Sequence, residues 1–470
     1  MKKAIRIVAV LLIILSNIIL LCADSFRPYV YNNDKSLELD EFMQTDVLND
    51  DNSKNEEEHF IDKQEILNEK KVVFIEKFPI VENYMKINNS TKTTEEFIDW
   101  IVGKYGLNVF SNICNVSQEN ISRDFYLETG KSLFVLLDEF LQNTNSIHKD
   151  VKNAEYINFT FAGDICLTED GFVIDYYDTT GVLKNWISES IIEQANNADI
   201  FMLNNEFCFS ERGTALTGKL YTFRALPDRI NILKEMGTDI VSLANNHIYD
   251  YGLEGFSDTL KILDEAGIAR VGAGANSSEA EKVVYYELNG MKIGIVSASR
   301  AEKVRYTPGA KENSAGIFLM YEIERLLEVI EAANSQCDFL ISYIHWGTED
   351  SKYYEEYQNE IAKQMILAGT DAIIGGHPHV LQGIEYIDDV PIVYSLGDFW
   401  FNHESKYTAM INLSFDINGI KEMSIIPCIQ SNFKTTLISD ETAKKEFFDY
   451  MRELSNNCNI DDLGLVTKIE

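Results

Sequence analysis

The chain is short of positive charge. It carries 41 Lys and Arg against 75 Asp and Glu, a net charge of −34 over 470 residues. A surface that acidic repels nucleic acid and anionic lipid, so no nucleic-acid partner is expected. It suits a soluble extracellular face and partners that are basic or bridged by cations. Paired cysteines are also missing. The seven cysteines are odd in number and include no close Cys-x-x-Cys pair; Cys114, Cys166, Cys208, Cys337, Cys428 and Cys458 are irregularly spread. That spacing excludes a disulfide framework, and most of these thiols read as small core residues. Apolar residues are not lacking: 45% hydrophobic and 11% aromatic content excludes wholesale disorder. The length allows one large domain plus a smaller one, or two or three modest domains.

At the start, Met1-Lys2-Lys3 and Arg6 precede an apolar run from Ile7 to Cys22, broken only by Ser16 and Asn17. A basic start before such a run is an export signal, and the acidic chain after Ala23 is then translocated. The run is long for a signal-peptide core and slightly short for a spanning helix. Residues 1–23 are therefore expected to be an N-terminal membrane anchor or a signal peptide. Cys22 invites a lipoprotein reading, but Leu21 is bulkier than such processing prefers. The expected location is extracytoplasmic, tethered to the cell membrane. Residues 24–70 read as a solvated acidic spacer, centred on Asp50-Asp51-Asn52-Ser53 and Glu56-Glu57-Glu58. Residues 71–154 read as a small, mainly helical region. It opens with a strand-like stretch, Val72 to Ile75, and has helical patterns around Thr94–Tyr105 and Lys131–Gln142.

From Tyr156 a pattern repeats: an apolar, strand-like run followed by polar residues. Ile157–Phe161 leads to Gly163-Asp164, Asp199–Leu203 to Asn204-Asn205-Glu206, and Asp239–Leu243 to Asn245-Asn246-His247. Asp338–Ile344 leads to His345-Trp346-Gly347, Asp371–Ile374 to Gly376-His377-Pro378-His379, and Ile392–Leu396 to Gly397-Asp398. Helical segments closed by Gly237 and Gly369 precede two of these runs. Alternating helices and nearly continuous apolar strands predict an α/β sheet with helices on its faces, over residues 155–430. Residues 431–470 read as a C-terminal strand and helix extension. Such sheets place their chemistry beyond the carboxyl ends of the strands.

Four of the seven histidines, His247, His345, His377 and His379, lie at those ends beside Asp164, Glu206, Asn245, Asn246 and Asp398. Imidazole, carboxylate and amide oxygen without a thiolate pair form a ligand set for Mn, Fe or Zn rather than a structural zinc knuckle. Two metals sharing a carboxylate could clamp the oxygens of a displacement at phosphorus or a carbonyl. His377-Pro378-His379 is the sharpest signal. In extended backbone residues i and i+2 share a side, and the proline biases its predecessor toward that geometry. Plainer roles are open to each: Asp164, Asn245 and Asn246 as turn or capping residues, Glu206 as a surface carboxylate, His345 as a core histidine. Cys166 and Cys208 read as packing at the site's edge, and His403 is close enough to Asp398 to support it.

Taken in order, Ala162-Gly163-Asp164, Asn204-Asn205-Glu206, Ser242–His247 with Asp250-Tyr251-Gly252, His345-Trp346-Gly347 with Glu349, Gly376–Val380 and Tyr394–Phe399 resemble the CapA family. The resemblance covers about 157–427. It implies a calcineurin-like metallophosphoesterase architecture, a layered α/β sandwich, and a role in making, exporting or anchoring poly-γ-glutamate capsule. It further implies two divalent metals (Mn, Fe, Zn or Mg). Asp164 and His379 would serve one; Asn246, His345 and His377 the other; Glu206 would bridge them. His247 would be the proton donor, and Asn204, Asn245, Asp250, Trp346, Glu349 and Asp398 would support the ligands or meet substrate. The departures are Cys166 where the phosphoesterase first motif has histidine, Gly376 where CapA proteins commonly have histidine, Asn205 for a usual leucine, and Asp398 for a usual asparagine.

Three functions follow. The first is a surface hydrolase or transferase acting on a phosphoester or a γ-glutamyl amide. The second is a non-catalytic component that binds anionic polymer beside membrane synthase subunits. The third is a metal-stabilised extracellular domain. A polyanionic polymer should avoid a −34 protein unless divalent cations bridge them.

Overall fold

The computed structural model describes residues 63–469, apart from 116, 154, 302–305 and 404. The expected export segment and most of the acidic spacer lie outside the described residues. No helix among the described residues is long and apolar enough to cross a membrane.

Two sheets carry the molecule. In the first, strands Met291–Ser299, Phe339–His345, Ala372–Gly376 and Val390–Val393 run parallel in that spatial order. In the second, Ile157–Ile165, Ile200–Asn205, Ile240–Ser242 and Ala269–Val271 run parallel, and the long hairpin Ser405–Asp416 and Gly419–Ser431 extends the sheet antiparallel beyond Ile157–Ile165. Side-chain alternation explains why both sheets are buried twice over. Ile341 and Tyr343 face a core shared with Phe159, Phe161 and Met202 of the other sheet. Leu340 and Ile344 face outward into a second core under helices Ile323–Asn334 and Glu356–Leu367. Likewise Phe201 and Leu203 pack outward beneath helices such as Ile230–Met236 and Gly252–Ala266. Across the middle, Phe339 stacks on Phe415 at 4.1 Å and the Tyr343 hydroxyl donates to the Ala162 carbonyl at 3.1 Å. The result is the expected layered α/β sandwich, helices outside and two sheets within.

Six helices from Lys63–Lys77 to Leu133–Leu141 form the N-terminal region around their own core of Phe74, Phe97, Phe110, Phe125 and Leu137. Val72 to Ile75, expected as a strand, lie inside the first helix. Phe74 and Phe78, one turn apart, are fully buried while Val72 and Val73 are exposed, so helical burial outweighs the β-branched preference. That helix also starts at Lys63, inside what reads as spacer. The region is tied to the first sheet in two ways. Strand Ser146–His148 pairs with Val284–Leu288 at the sheet edge, and the buried Lys292 ammonium reaches Asp138 at 2.6 Å and the Tyr84 hydroxyl at 2.7 Å. At the other terminus, Lys434–Leu437, Cys458–Ile460 and Leu465–Lys468 join the second sheet, with helix Glu441–Leu454 against it.

Candidate metal centre

The polar residues converge where strands of both sheets end. Asp164 ends one strand and pairs in register with Asp398 of the short strand Asp398–Trp400. The approach is close enough to require glycine. A side chain on Gly163 would meet the Gly397 carbonyl oxygen at 1.9 Å, and one on Gly376 would meet Asp164 Oδ1 at 2.7 Å.

Asn204 is the hub. Its amide nitrogen donates to Asp164 Oδ1 at 2.8 Å and to Glu206 Oε2 at 3.2 Å, while its oxygen accepts from the Asn245 amide at 3.0 Å. Asn245 Oδ1 accepts the His247 and Ile248 backbone amides, both at 3.0 Å, which fixes the turn carrying Asn246 and His247. His345 ends its strand with Nε2 2.9 Å from Asn246 Oδ1 and 3.6 Å from Glu206 Oε1. The His377 backbone amide donates to Asp164 Oδ2 at 3.0 Å. His379 sets Nε2 3.8 Å from Glu206 Oε1 and Nδ1 2.7 Å from Asp398 Oδ1.

His377 and His379 reach the centre by a different route from the one their spacing suggests. Neither is extended: their φ angles are +98° and +57°. Positive φ at both residues, on either side of Pro378, replaces strand alternation in turning the rings inward, with centroids 5.9 Å apart. Positive φ at two non-glycine residues is costly, and such strain collects at sites where geometry is over-determined.

Trp346 does not reach the centre. It comes directly after the strand that His345 ends and faces the opposite way, fully buried in the outer core with its indole N–H donating to the Tyr394 carbonyl at 3.0 Å. Glu349 is exposed, yet its carboxylate can share a site with His377 and His379. Cys166 is fully buried near Asn402 and takes no part in any such group; Cys208 packs with its thiol toward the Phe223 carbonyl. All six cysteines among the described residues are free.

The donor set fits a cation. Glu206 Oε1 and His377 Nδ1, both atoms that can ligate a cation, are buried without a hydrogen-bond partner, a condition native interiors avoid unless something else occupies the space. Glu206, His345 and His377 bring ligand atoms within 4.8 Å of one another, and so do Asp164, Glu206 and His379. Glu206 belongs to both groups. Electrostatics agree. Burial, then the Glu206 charge, pushes Asp164 up to about 7, and burial with the Asp398 charge pushes Glu206 up to about 8. Burial drops His345 to about 4 and His377 well below its ordinary value. His379 goes the other way, to about 10: burial opposes, but Asp398 and Glu206 outweigh it. Burial thus favours the protonated forms of Asp164 and Glu206 and the neutral forms of His345 and His377, while Asp398 and His379 favour their charged forms as a pair. Ligation of a divalent ion would require the protons on Asp164 and Glu206 to leave.

Beside these groups, Asp250 Oδ2 lies 2.7 Å from His247 Nδ1. Three residues with no sequence signal line the same region. Lys219 pairs with Asp250 at 2.7 Å, the Phe223 ring stacks on His247 at 4.2 Å, and Lys406 donates to the His379 carbonyl at 2.9 Å. Lys219 and Phe223 sit on a long loop with neither periodicity nor motif, so only the tertiary structure reveals them. His403 Nε2 lies 2.9 Å from Asp398 Oδ2, as their proximity in sequence suggests.

Known proteins resemble this chain in sequence over part of its length. The "Capsule biosynthesis protein CapA" of Bacillus anthracis is 30% identical over 211 residues, 43% of this chain and 50% of that one. The "PGA biosynthesis protein CapA" of Bacillus subtilis is 29% identical over 236 residues, 49% and 61% respectively. A "Probable polyglutamine synthesis accessory protein" of Mycobacterium tuberculosis is 26% identical over 227 residues, 47% and 60%. The chain thus spans about half to three fifths of the length of these relatives. Among solved structures, Haemophilus influenzae NAD nucleotidase matches with a TM-score of 0.34 at 15% identity, over 64% of this chain and 63% of that one. A 5'-nucleotidase from Candida albicans matches with a TM-score of 0.32 at 12% identity, over 58% and 52%. The family model described as "Bacterial capsule synthesis protein PGA_cap" matches residues 158–403, more than half of the sequence and the whole of the strand-end centre, and the chain belongs to that family.

Proposed function

We propose that this protein is an extracytoplasmic component of poly-γ-glutamate capsule synthesis, tethered to the membrane by residues 1–23, whose strand-end centre holds divalent metal and hydrolyses or transfers a phosphoester or γ-glutamyl bond. The observation that carries the site is the set of buried, unpartnered ligand atoms around Glu206. The names of the Bacillus relatives support the capsule role.

Asp164, Glu206 and His379 would hold one ion, and Glu206, His345, His377 and the Asn246 oxygen a second. When bound, such ions supply Lewis acidity to phosphoryl or carbonyl oxygen. The side chains do the rest. Asn204 fixes both carboxylates, and Asp398 orients His379 with Nε2 toward Glu206. His247 supplies the proton. As the water oxygen bonds to the reacting atom, the bond to the leaving oxygen or nitrogen breaks, its electron pair stays on the leaving atom, and His247 protonates it. The proton lost by water passes to solvent, from which His247 is recharged. Burial and the Lys219 charge hold His247 well below its ordinary value, so protonation requires an anionic substrate alongside.

A second reading, a polymer-binding component without turnover, is favoured by Cys166, which offers no ligand to the centre. Metal content and turnover separate the two. Near two equivalents, with hydrolysis of phosphomonoester, phosphodiester or γ-glutamyl probes, supports the enzyme. One equivalent with polymer binding and no turnover supports the second reading. No metal under any loading condition defeats both. Unchanged surface polymer on deleting the gene defeats the capsule role.

A further inference from the structure

The fold buries a lysine behind the proposed proton donor. The Lys219 side chain is 4% exposed; its ammonium lies 2.7 Å from Asp250 Oδ1 and also donates to the Asn246 backbone carbonyl. Asp250 is itself fully buried, and its other oxygen is shared between His247 Nδ1 at 2.7 Å and the Phe223 backbone amide at 2.8 Å. Phe223, four residues along the same loop, covers the imidazole face. Further bonds hold that loop: the Leu216 amide donates to the Asp250 carbonyl of the His247 turn at 2.9 Å, and the hydroxyl of Tyr306, on a separate segment, donates to the Gly218 carbonyl at 2.8 Å. A buried ion pair seldom adds net stability over apolar packing, so its retention beside a reacting group calls for another reason.

We infer that Lys219 is a positioning residue: it locks the Asp250 carboxylate so that His247 keeps its Nδ1 proton on Asp250 and presents Nε2 to the leaving group. This rests on the hydrolase reading for its kinetic consequence but not for its geometric one. Asp250 with one oxygen unpaired could rotate; with Lys219 on Oδ1 and Phe223 N–H on Oδ2 it cannot turn without breaking both contacts.

The test compares metal-loaded wild type, Lys219→Met and Lys219→Arg on p-nitrophenyl phosphate and phenyl phosphate. Phenolate is the poorer leaving group and depends more on a placed proton. Lys219→Met should lower kcat on phenyl phosphate by on the order of 10²-fold, the low end of general-acid effects, and much less on the nitrophenyl ester. KM and metal content should stay near wild type, with Lys219→Arg recovering most of the kcat loss. Tm falls in Lys219→Met because Asp250 is left buried without its cation, a loss that cannot by itself separate the two esters. Equal losses on both esters, or loss of metal, overturn the inference. If wild type hydrolyses neither ester, the hydrolase reading fails on these substrates, and the geometric claim is decided by ¹⁵N-histidine NMR. A His247 Nδ1–H signal present in wild type and lost or mixed in Lys219→Met supports positioning; an unchanged signal overturns it.

Discussion

The same parallel strands carry carboxylates at both ends, and the two sets behave differently. At the amino ends, Asp199, Asp239, Asp338 and Asp371 each accept the backbone amide at the start of a neighbouring strand: Asn158 at 2.7 Å, Phe201 at 2.9 Å, Lys292 at 2.8 Å and Leu340 at 2.7 Å. They staple one strand to the next. At the carboxyl ends, Asp164, Glu206 and Asp398 face imidazoles and one another, and Glu206 Oε1 has no hydrogen-bond partner. Residue type does not distinguish the sets; satisfaction does. A buried carboxylate whose oxygens are used by backbone amides is structural, and one left with an idle oxygen among histidines is poised for a cation.

The comparison breaks most visibly through metal. His377→Ala with His379→Ala should remove all bound metal and, with it, the stabilisation that metal gives, about 4 kcal/mol at a thousandfold excess over Kd. Asp371→Ala should leave metal content at the wild-type level. Elemental analysis and melting with and without chelator read both; metal loss in Asp371→Ala would erase the distinction between the two ends.

Next in size is the staple itself. Asp371→Ala leaves the Leu340 amide unpaired at the edge of the core, which should cost about 1–3 kcal/mol in urea unfolding. A cost near zero would mean that water replaces the carboxylate.

A smaller effect comes from titration. Burial pushes Asp371 up to about 7 against the pull of the Leu340 amide. The folded state therefore holds this proton where the unfolded state has released it, and stability falls as pH rises from about 4 to about 7. Asp371→Asn keeps an acceptor but does not titrate. The stability of wild type relative to that variant should decline across this window by at most ~1.4 kcal/mol per pH unit. A flat difference would show that the carboxylate is ionised in the fold throughout.

The carboxyl-end half of this contrast is legible in the sequence, because polar residues close continuous apolar runs there. The stapling role of Asp199, Asp239, Asp338 and Asp371 is not: each belongs to the run it opens, and only the neighbouring strand's amide defines what it does. What failed did so where tertiary contacts override local geometry. Trp346 neighbours His345 in sequence, and a strand sends neighbours to opposite faces. His377 and His379 meet through left-handed backbone, which no spacing rule anticipates. Val72 to Ile75 look extended until Phe74 is seen buried, and Val72 and Val73 exposed, on the helix Lys63–Lys77. Lys219 and Phe223 belong to a loop whose position is set only by what it touches.

Cys166 is the residue on which packing and ligation come closest to being confused, because it follows Asp164 by only two positions. Its surroundings assign it to packing. The side chain is fully buried with Leu167, Val173 and Phe207, burial pushes the thiol well above its ordinary value, and its polar neighbour is the Asn402 amide at 3.8 Å. A thiol kept protonated by burial is a poor ligand. Cys166→Ala should therefore cost about 1 kcal/mol, as expected for deleting one small buried group, and leave metal stoichiometry unchanged. If the variant instead loses an equivalent, the thiol moves toward the centre on metal binding. Hydrogen-bond satisfaction would then no longer separate structural from functional groups at this end of the sheet.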